Sequence, residues 1–324
     1  MGLLLNGAWQ EDISRTKEGR FIRPAPIFRN FVTRDGSPGP SGEGGFAAEA
    51  GRYHLYISLA CPWAHRTLIF RALKKLESAV SVSITEPLYG KTGWEFGTAR
   101  SGTSDTVNGK TTLAEIYLLA DPRYTGRVSV PVLWDKKRRT IVNNESSEII
   151  RMLNSAFDAF TDERTDYYPA QLRGEIDAVN DVIYTNINNG VYRAGFATSQ
   201  EAYEEAAYGI FDTLDKIEER MSRQRFLTGR HLTEADWRLF TTLVRFDTVY
   251  YSHFKCNLRR IADYPNLWNY TRDLYQVPGV AETVSIDHIK RHYYGSQHQV
   301  NPTGIVPIGP QIDFTAPHDR HRFT

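Results

Sequence analysis

Apolar and polar positions alternate in two different periods along the chain. Tyr53–Ala60 is an apolar run that predicts a strand, Pro62–Leu76 a helix, and Val80–Thr85 a second strand. Glu86–Asn108 is long and irregular, and Leu113–Leu119 is helical in pattern. Val128–Trp134 predicts a short strand with Pro131 inside it. Proline is excluded from a central strand, so Pro131 is placed at the strand start, with a cis bond as one option. Lys136–Arg139 is a polar turn, Thr140-Ile141-Val142 the returning strand, and Asn144 or Ser146 caps a helix through Leu153. The order β-α-β-α-β-β-α implies one small mixed sheet with helices on its faces.

After residue 170 the period becomes helical. Ile176, Val179, Ile183 and Ile187 share a face, as do Tyr203, Ala207, Ile210, Leu214, Ile217 and Met221. Leu239, Leu243 and Phe246 mark a third helix, and Leu267, Tyr270 and Leu274 a fourth. The expected organisation is an extension (1–50), an α/β domain (51–157), a polar, proline-terminated linker (158–169), an all-helical domain (170–294) and a tail (295–324). The tail is rich in Pro and Gly, with Ile305, Val306 and Ile308 as apolar anchors.

Composition narrows the function classes. The 324 residues carry a formal charge of +1, so no basic face for nucleic acid is expected. No apolar run is long enough to span a bilayer. Met1-Gly2-Leu3-Leu4-Leu5 is too short for a secretion signal, and Asn6 stands where myristoylation needs Ser or Thr. The glycosylation patterns at Asn144 and Asn269 are then coincidental, and a reducing, cytoplasmic compartment is expected. Two cysteines do not make a disulfide framework.

Cys61 is the residue most suited to chemistry. It lies in Cys61-Pro62-Trp63-Ala64-His65, between the first strand and its helix. A thiol there meets the positive end of the helix dipole, which favours the thiolate and can bring its pKa from 8.5 into the range of roughly 3.5–7.5. Pro62 suits the first helical turn. Ala64 stands where a Cys-x-x-Cys motif has its second thiol, so an external thiol must resolve any disulfide formed at Cys61. The competing reading is an inert buried thiol. Cys256, without Pro or a helix start beside it, is expected to be structural.

Other signals in the chain have plainer readings. Thr233-Glu234-Ala235-Asp236 has the form of a helix-start box and is assigned to folding. His288 and His292 are spaced for a helix face, but the pattern lacks a third metal ligand, so no metal is expected. Gly42–Ala47 follows a loop rather than a strand, and Ser104 replaces the first glycine of a phosphate loop ending Gly109-Lys110-Thr111.

The longer motifs are Ser58–Thr67, Arg127–Asp135, Asn144-Glu145-Ser146, Tyr192–Phe196, Phe254–Asn257 and Asn301–Pro307. In order and spacing they resemble the Xi class of the glutathione transferases, the glutathionyl-hydroquinone reductases. The resemblance covers nearly the whole chain. It implies a thioredoxin-like domain joined to a helical-bundle domain, glutathione as co-substrate, a glutathionylated aromatic substrate and a homodimer. It also assigns roles. Cys61 is the nucleophile, and Tyr192, Tyr250 and Tyr293 face it from the helical domain. Glu145 and Ser146 hold the γ-glutamyl group, although on residue type alone they are equally a helix cap. Val130 pairs with the glutathione backbone, as in strand addition. Arg127 and Trp94 complete the site, although Trp94 alone is equally a loop anchor.

The sequence leaves two further readings open. An Omega-like thioltransferase or dehydroascorbate reductase would use the same thiol, and comparing substrate rates separates it. A non-catalytic interaction module of the same fold would have no use for an acidic thiol.

Overall fold

The computed structural model describes residues 2–11 and 16–323. Four short strands open the chain: β1 (Gly2–Leu5), β2 (Ala8–Glu11), β3 (Thr16–Lys17) and β4 (Arg20–Phe21). Then come β5 (Tyr53–Ile57), α1 (Pro62–Leu73), β6 (Val80–Ile84), α2 (Leu113–Ala120), β7 (Gly126–Arg127), β8 (Val132–Asp135), β9 (Thr140–Asn143) and α3 (Ser146–Ser155). The helical half holds α4 (Arg173–Ile183), α5 (Gly190–Gly195), α6 (Gln200–Met221), α7 (Glu234–Arg245), α8 (Pro265–Tyr275) and α9 (Ile286–Ser296).

The chain divides into two compact units. The first is built on a mixed sheet of order β6-β5-β8-β9, with β5 parallel to β6 and antiparallel to β8. All five residues of β5 are buried, as expected of a central strand. Strand β5 stops at Ile57, short of the expected Ala60, because Ser58–Cys61 form a turn closed by the Cys61 N–H donating to the Ser58 carbonyl at 3.2 Å. Helix α1 likewise stops at Leu73 instead of Leu76. Lys75 has φ +50°, and the N–H groups of Lys75 and Leu76 bond back to the Ala72 and Arg71 carbonyls, a Schellman ending. The Val130–Pro131 bond is cis, one residue before β8.

The described residues up to 50 do not stand apart from the two units. Strand β1 pairs with β2 and β7, and the Asn30 N–H donates to the Val142 carbonyl at 3.0 Å. The segment ending at Arg23 packs with the second unit instead. There the Gly19 carbonyl accepts from Thr198 N–H, and Arg20 pairs with Glu201 and Glu205. The expected linker contains the cut, between Thr165 and Asp166. Residues 283–292, expected in the helical domain, pack with the first unit; the His65 ring nitrogen meets the Thr283 hydroxyl at 2.8 Å.

In the second unit the buried faces of α6 and α8 follow the sequence pattern, with Ile210, Leu214, Met221, Leu267, Tyr270 and Leu274 enclosed. Helix α7 departs from it. All twelve of its residues are buried, not one stripe. Its charges are served internally: Glu234 accepts from Asn180 at 3.0 Å, and Arg245 donates to the Thr241 carbonyl at 2.8 Å. Two π-helical turns, Tyr184–Asn188 and Phe246–Tyr250, interrupt the helical period. The tail anchors also differ. Ile305, Val306 and Ile308 are exposed, the last at 98%, whereas Phe314 and Arg320 are buried. Arg320 caps the end of α6, donating to the Met221 carbonyl at 2.7 Å.

Candidate active site

In the first unit, Cys61 occupies the N-cap of α1 in extended conformation (φ −80°, ψ 121°), with Pro62 next. Its carbonyl accepts the first helical bond, from His65 N–H at 3.0 Å, while its thiol makes no capping bond to the helix. The thiol is half-buried, with Sγ 3.6 Å from the Val130 carbonyl oxygen. The structure therefore brings Cys61 and Val130 together. Val130 lies outside the β8 ladder, whose pairing with β5 begins at Val132.

Glu145 and Ser146 sit together at the start of α3. Neither expected cap, Asn144 or Ser146, takes that position. Glu145 does, accepting from Ser147 N–H at 2.9 Å. Asn144 is committed elsewhere, with Nδ2 on the Tyr117 hydroxyl and Oδ1 accepting from Phe28 N–H. The buried Ser146 hydroxyl accepts from an Arg66 guanidinium nitrogen at 3.3 Å. Arg66 lies on α1, one turn past Cys61, so one side chain ties the two helix starts. Its place inside the Cys61 motif was the only sequence signal for this.

Trp94 is buried, and contacts other than Cys61 fix it. Its ring stacks on His292 (centroids 4.6 Å apart, 20° between planes), and Tyr89 meets both edge-on. His292 is held in turn by Nδ1 on the Pro87 carbonyl at 3.0 Å. His288 is buried on the same helix, and among the described residues no group of His, Cys, Asp and Glu forms a metal centre. Arg127 is on β7 opposite Leu3, its carbonyl accepting from the Tyr124 hydroxyl.

In the second unit the structure joins the three tyrosines. Tyr192 and Tyr293 hydroxyls are 2.6 Å apart, and those of Tyr293 and Tyr250 are 3.0 Å apart. All three side chains are buried. Burial, then the neighbouring Tyr192 and Tyr250, raise the Tyr293 phenol well above its ordinary range. Tyr293 therefore keeps its proton. The π turns explain how the tyrosines meet. One precedes Tyr192 closely and the other contains Tyr250, and an extra residue in a turn re-aims the side chains that follow. Phe21 and Arg23 also lie against Tyr192, and no pattern in the sequence pointed to either.

Comparisons with known proteins agree with this architecture. Residues 60–156 match the glutathione S-transferase N-terminal domain family and residues 200–273 the C-terminal domain family. The chain is 56% identical to glutathionyl-hydroquinone reductase YqjG of Escherichia coli, over 99% of this chain and 98% of the relative. It is 54% identical to glutathionyl-hydroquinone reductase PcpF of Sphingobium chlorophenolicum, over 96% of each. The glutathione-bound structure of YqjG superposes with a TM-score of 0.92 over 99% of both chains at 55% identity. A Xi-class transferase from Natrialba magadii gives 0.92 at 48% identity, over 100% of this chain and 97% of that one. With this sequence, this fold and these full-length relatives, the chain belongs to the glutathionyl-hydroquinone reductases, the Xi class of the glutathione S-transferase family.

Proposed function

We propose that the protein reduces glutathionyl-hydroquinones with glutathione, through a disulfide between Cys61 and glutathione. One observation carries the proposal. A single thiol stands at the start of α1 against the Val130 carbonyl, with Ala64 where a second thiol would be. Such a site must take its second thiol from solution.

The Cys61 thiolate attacks the glutathionyl sulfur of the substrate. An S–S bond forms and the C–S bond to the ring breaks. The electron pair of the C–S bond goes to the ring carbon, which takes a proton from Tyr192. The Tyr293 and Tyr250 hydroxyls support Tyr192 as it gives up that proton. Hydroquinone leaves. A second glutathione then gives its thiol proton to Tyr192 and, as thiolate, attacks the glutathionyl sulfur on Cys61. Oxidised glutathione leaves and the Cys61 thiolate returns. Val130 pairs with the glutathione backbone, Glu145 and Ser146 receive its γ-glutamyl end at the start of α3, and Trp94 and Arg127 flank it. The same reading carries a homodimer working in the cytoplasm; among the described residues no helix is long and apolar enough to cross a membrane.

The test is turnover of a glutathionyl-hydroquinone with excess glutathione, comparing the natural chain with Cys61→Ala. The natural chain should release hydroquinone and oxidised glutathione with ping-pong kinetics, and Cys61→Ala should lose about 10³-fold or more. Full activity in Cys61→Ala would overturn the proposal. A second reading has some support. A relative from Schizosaccharomyces pombe, 46% identical, is named glutathione S-transferase omega-like 2. Faster turnover of a mixed-disulfide substrate than of any glutathionyl-hydroquinone would favour that thioltransferase reading.

A further inference from the structure

Arg23 closes the N-terminal segment that packs with the second unit. Its guanidinium carbon lies 4.7 Å from the centre of the Tyr192 ring. Its Nε donates to Asn189 Oδ1 at 2.8 Å. Asn189 stands between the π turn Tyr184–Asn188 and α5, so the turn that presents Tyr192 also fixes the cation. Phe21 stacks on the same ring, with centroids 6.5 Å apart and 28° between planes. Upstream, Arg20 bonds to Glu205 at 3.0 Å, which anchors the segment on α6.

A cation over a phenol ring favours the phenolate, because the anion gains more from the charge than the neutral ring does. Tyr192 has a second aid to ionisation. Tyr293, 2.6 Å from its oxygen, keeps its own proton and can donate it into a hydrogen bond. Other charged groups are arranged differently. Arg245 acts on Tyr293, and Arg193, next to Tyr192 in sequence, pairs with Glu205. Tyr250 reaches Tyr293, and the ring neighbours Phe196 and Phe254 are apolar.

We propose that Arg23 is a positioning residue for proton transfer, acting through Tyr192 to stabilise the phenolate left when the departing ring carbon is protonated. This rests on Tyr192 as the donor. The proton moves from the Tyr192 oxygen to the ring carbon, and the electron pair of the broken C–S bond becomes the new C–H bond. Tyr192 remains anionic beside Arg23 until the thiol of the second glutathione returns a proton. On this view the N-terminal segment is part of the active site.

The experiment is a single turnover of 2-(glutathion-S-yl)hydroquinone by the full chain without free glutathione, from about pH 6 to about pH 10. Hydroquinone release is followed for the natural chain, Arg23→Gln, Arg23→Lys, Phe21→Leu and Tyr192→Phe. Removing the cation raises the Tyr192 pKa. Arg23→Gln should therefore move the alkaline limb to higher pH by about one unit and slow the plateau about three- to tenfold. Arg23→Lys should restore most of the limb position. Phe21→Leu, which loosens the segment without changing charge, should slow release and leave the limb in place. An unmoved limb in Arg23→Gln, whether or not the rate falls, overturns the proposal. A limb that survives in Tyr192→Phe overturns Tyr192 as donor, and the role of Arg23 with it. No release by the natural chain would instead sink the reductase reading itself.

Discussion

Helices α1 and α7 begin in opposite ways. Each presents first-turn N–H groups that have no partner within the helix. At α7 the start is sealed within the fold: the first-turn Glu234 N–H donates to the Tyr167 carbonyl at 2.8 Å, and the Asp236 carboxylate gathers the donors around the cap residue Thr233. Asp236 Oδ2 accepts from Thr233 N–H at 2.8 Å, and Oδ1 accepts from Leu227 N–H at 2.8 Å and from the Tyr270 hydroxyl at 2.7 Å. The whole arrangement is buried. At α1 the cap residue has the same extended backbone, but its side chain is a thiol that makes no capping bond. Pro62 removes one donor without filling its place. The first start is devoted to folding, while the second leaves its dipole facing a sulfur.

The largest expected contrast is between the two thiols. Cys256 is fully buried, with Sγ 3.8 Å from the Phe254 carbonyl. Burial pushes its thiol far above the ordinary range, against a small opposing effect of Lys255. It stays protonated at any working pH and is reached only when the structure opens. Cys61 is half-buried at a helix start. Iodoacetamide should therefore modify the native chain at Cys61, with Cys256 slower by about 10³-fold or more. Peptide mapping by mass spectrometry reads the ratio. Comparable rates at both sites would remove the distinction between the two environments.

Both helix starts were legible because their signals are local. Cys61-Pro62 after an apolar run, and Thr233 three residues before Asp236, carry their geometry in adjacent letters. The glutathione transferase fold was legible too, from element order and from the long motifs. What escaped depends on packing at a distance. The π turns at Tyr184–Asn188 and Phe246–Tyr250 add a residue to a turn without changing the letters. Helix α7 carries Glu234, Arg238 and Arg245, residue types that are mostly exposed, yet all three are buried. Among the 18 tyrosines, only the family resemblance points to Tyr192, Tyr250 and Tyr293. Arg23 had no signal, because what gives it meaning is a ring far along the chain.

The sealed start should fail in stability rather than in chemistry. Asp236→Ala leaves buried donors at Leu227, Thr233 and Tyr270 without their acceptor, and the expected loss is about 3–4 kcal/mol in urea unfolding. Turnover per folded molecule should change less than about twofold. Burial pushes the Asp236 carboxyl up to about 6, despite the hydrogen bonds from Leu227, Thr233 and Tyr270 that act to lower it. The folded state therefore holds this proton more tightly than the unfolded chain. The Asp236 contribution is full below about pH 4 and declines as pH rises through 6, by on the order of 2–3 kcal/mol, then is flat. Asp236→Asn should abolish that slope. An unchanged slope would assign it to another group.

The smallest effect tests the comparison most directly. Cys61→Ser replaces the proposed nucleophile with a residue that caps helices well. The backbone at 61 already has cap geometry, so a serine oxygen there is placed to accept from a first-turn N–H. The change gives up a weak contact, the 3.6 Å approach of Sγ to the Val130 carbonyl. The variant should therefore be inactive yet more stable than the natural chain by about 0.5–1 kcal/mol. Calorimetry would read this as a rise of about one to three degrees in melting temperature. Equal or lower stability in Cys61→Ser would mean that α1 is already as well satisfied as α7. The contrast between a start kept for chemistry and one sealed for folding would then fail, even with Cys61 as the nucleophile.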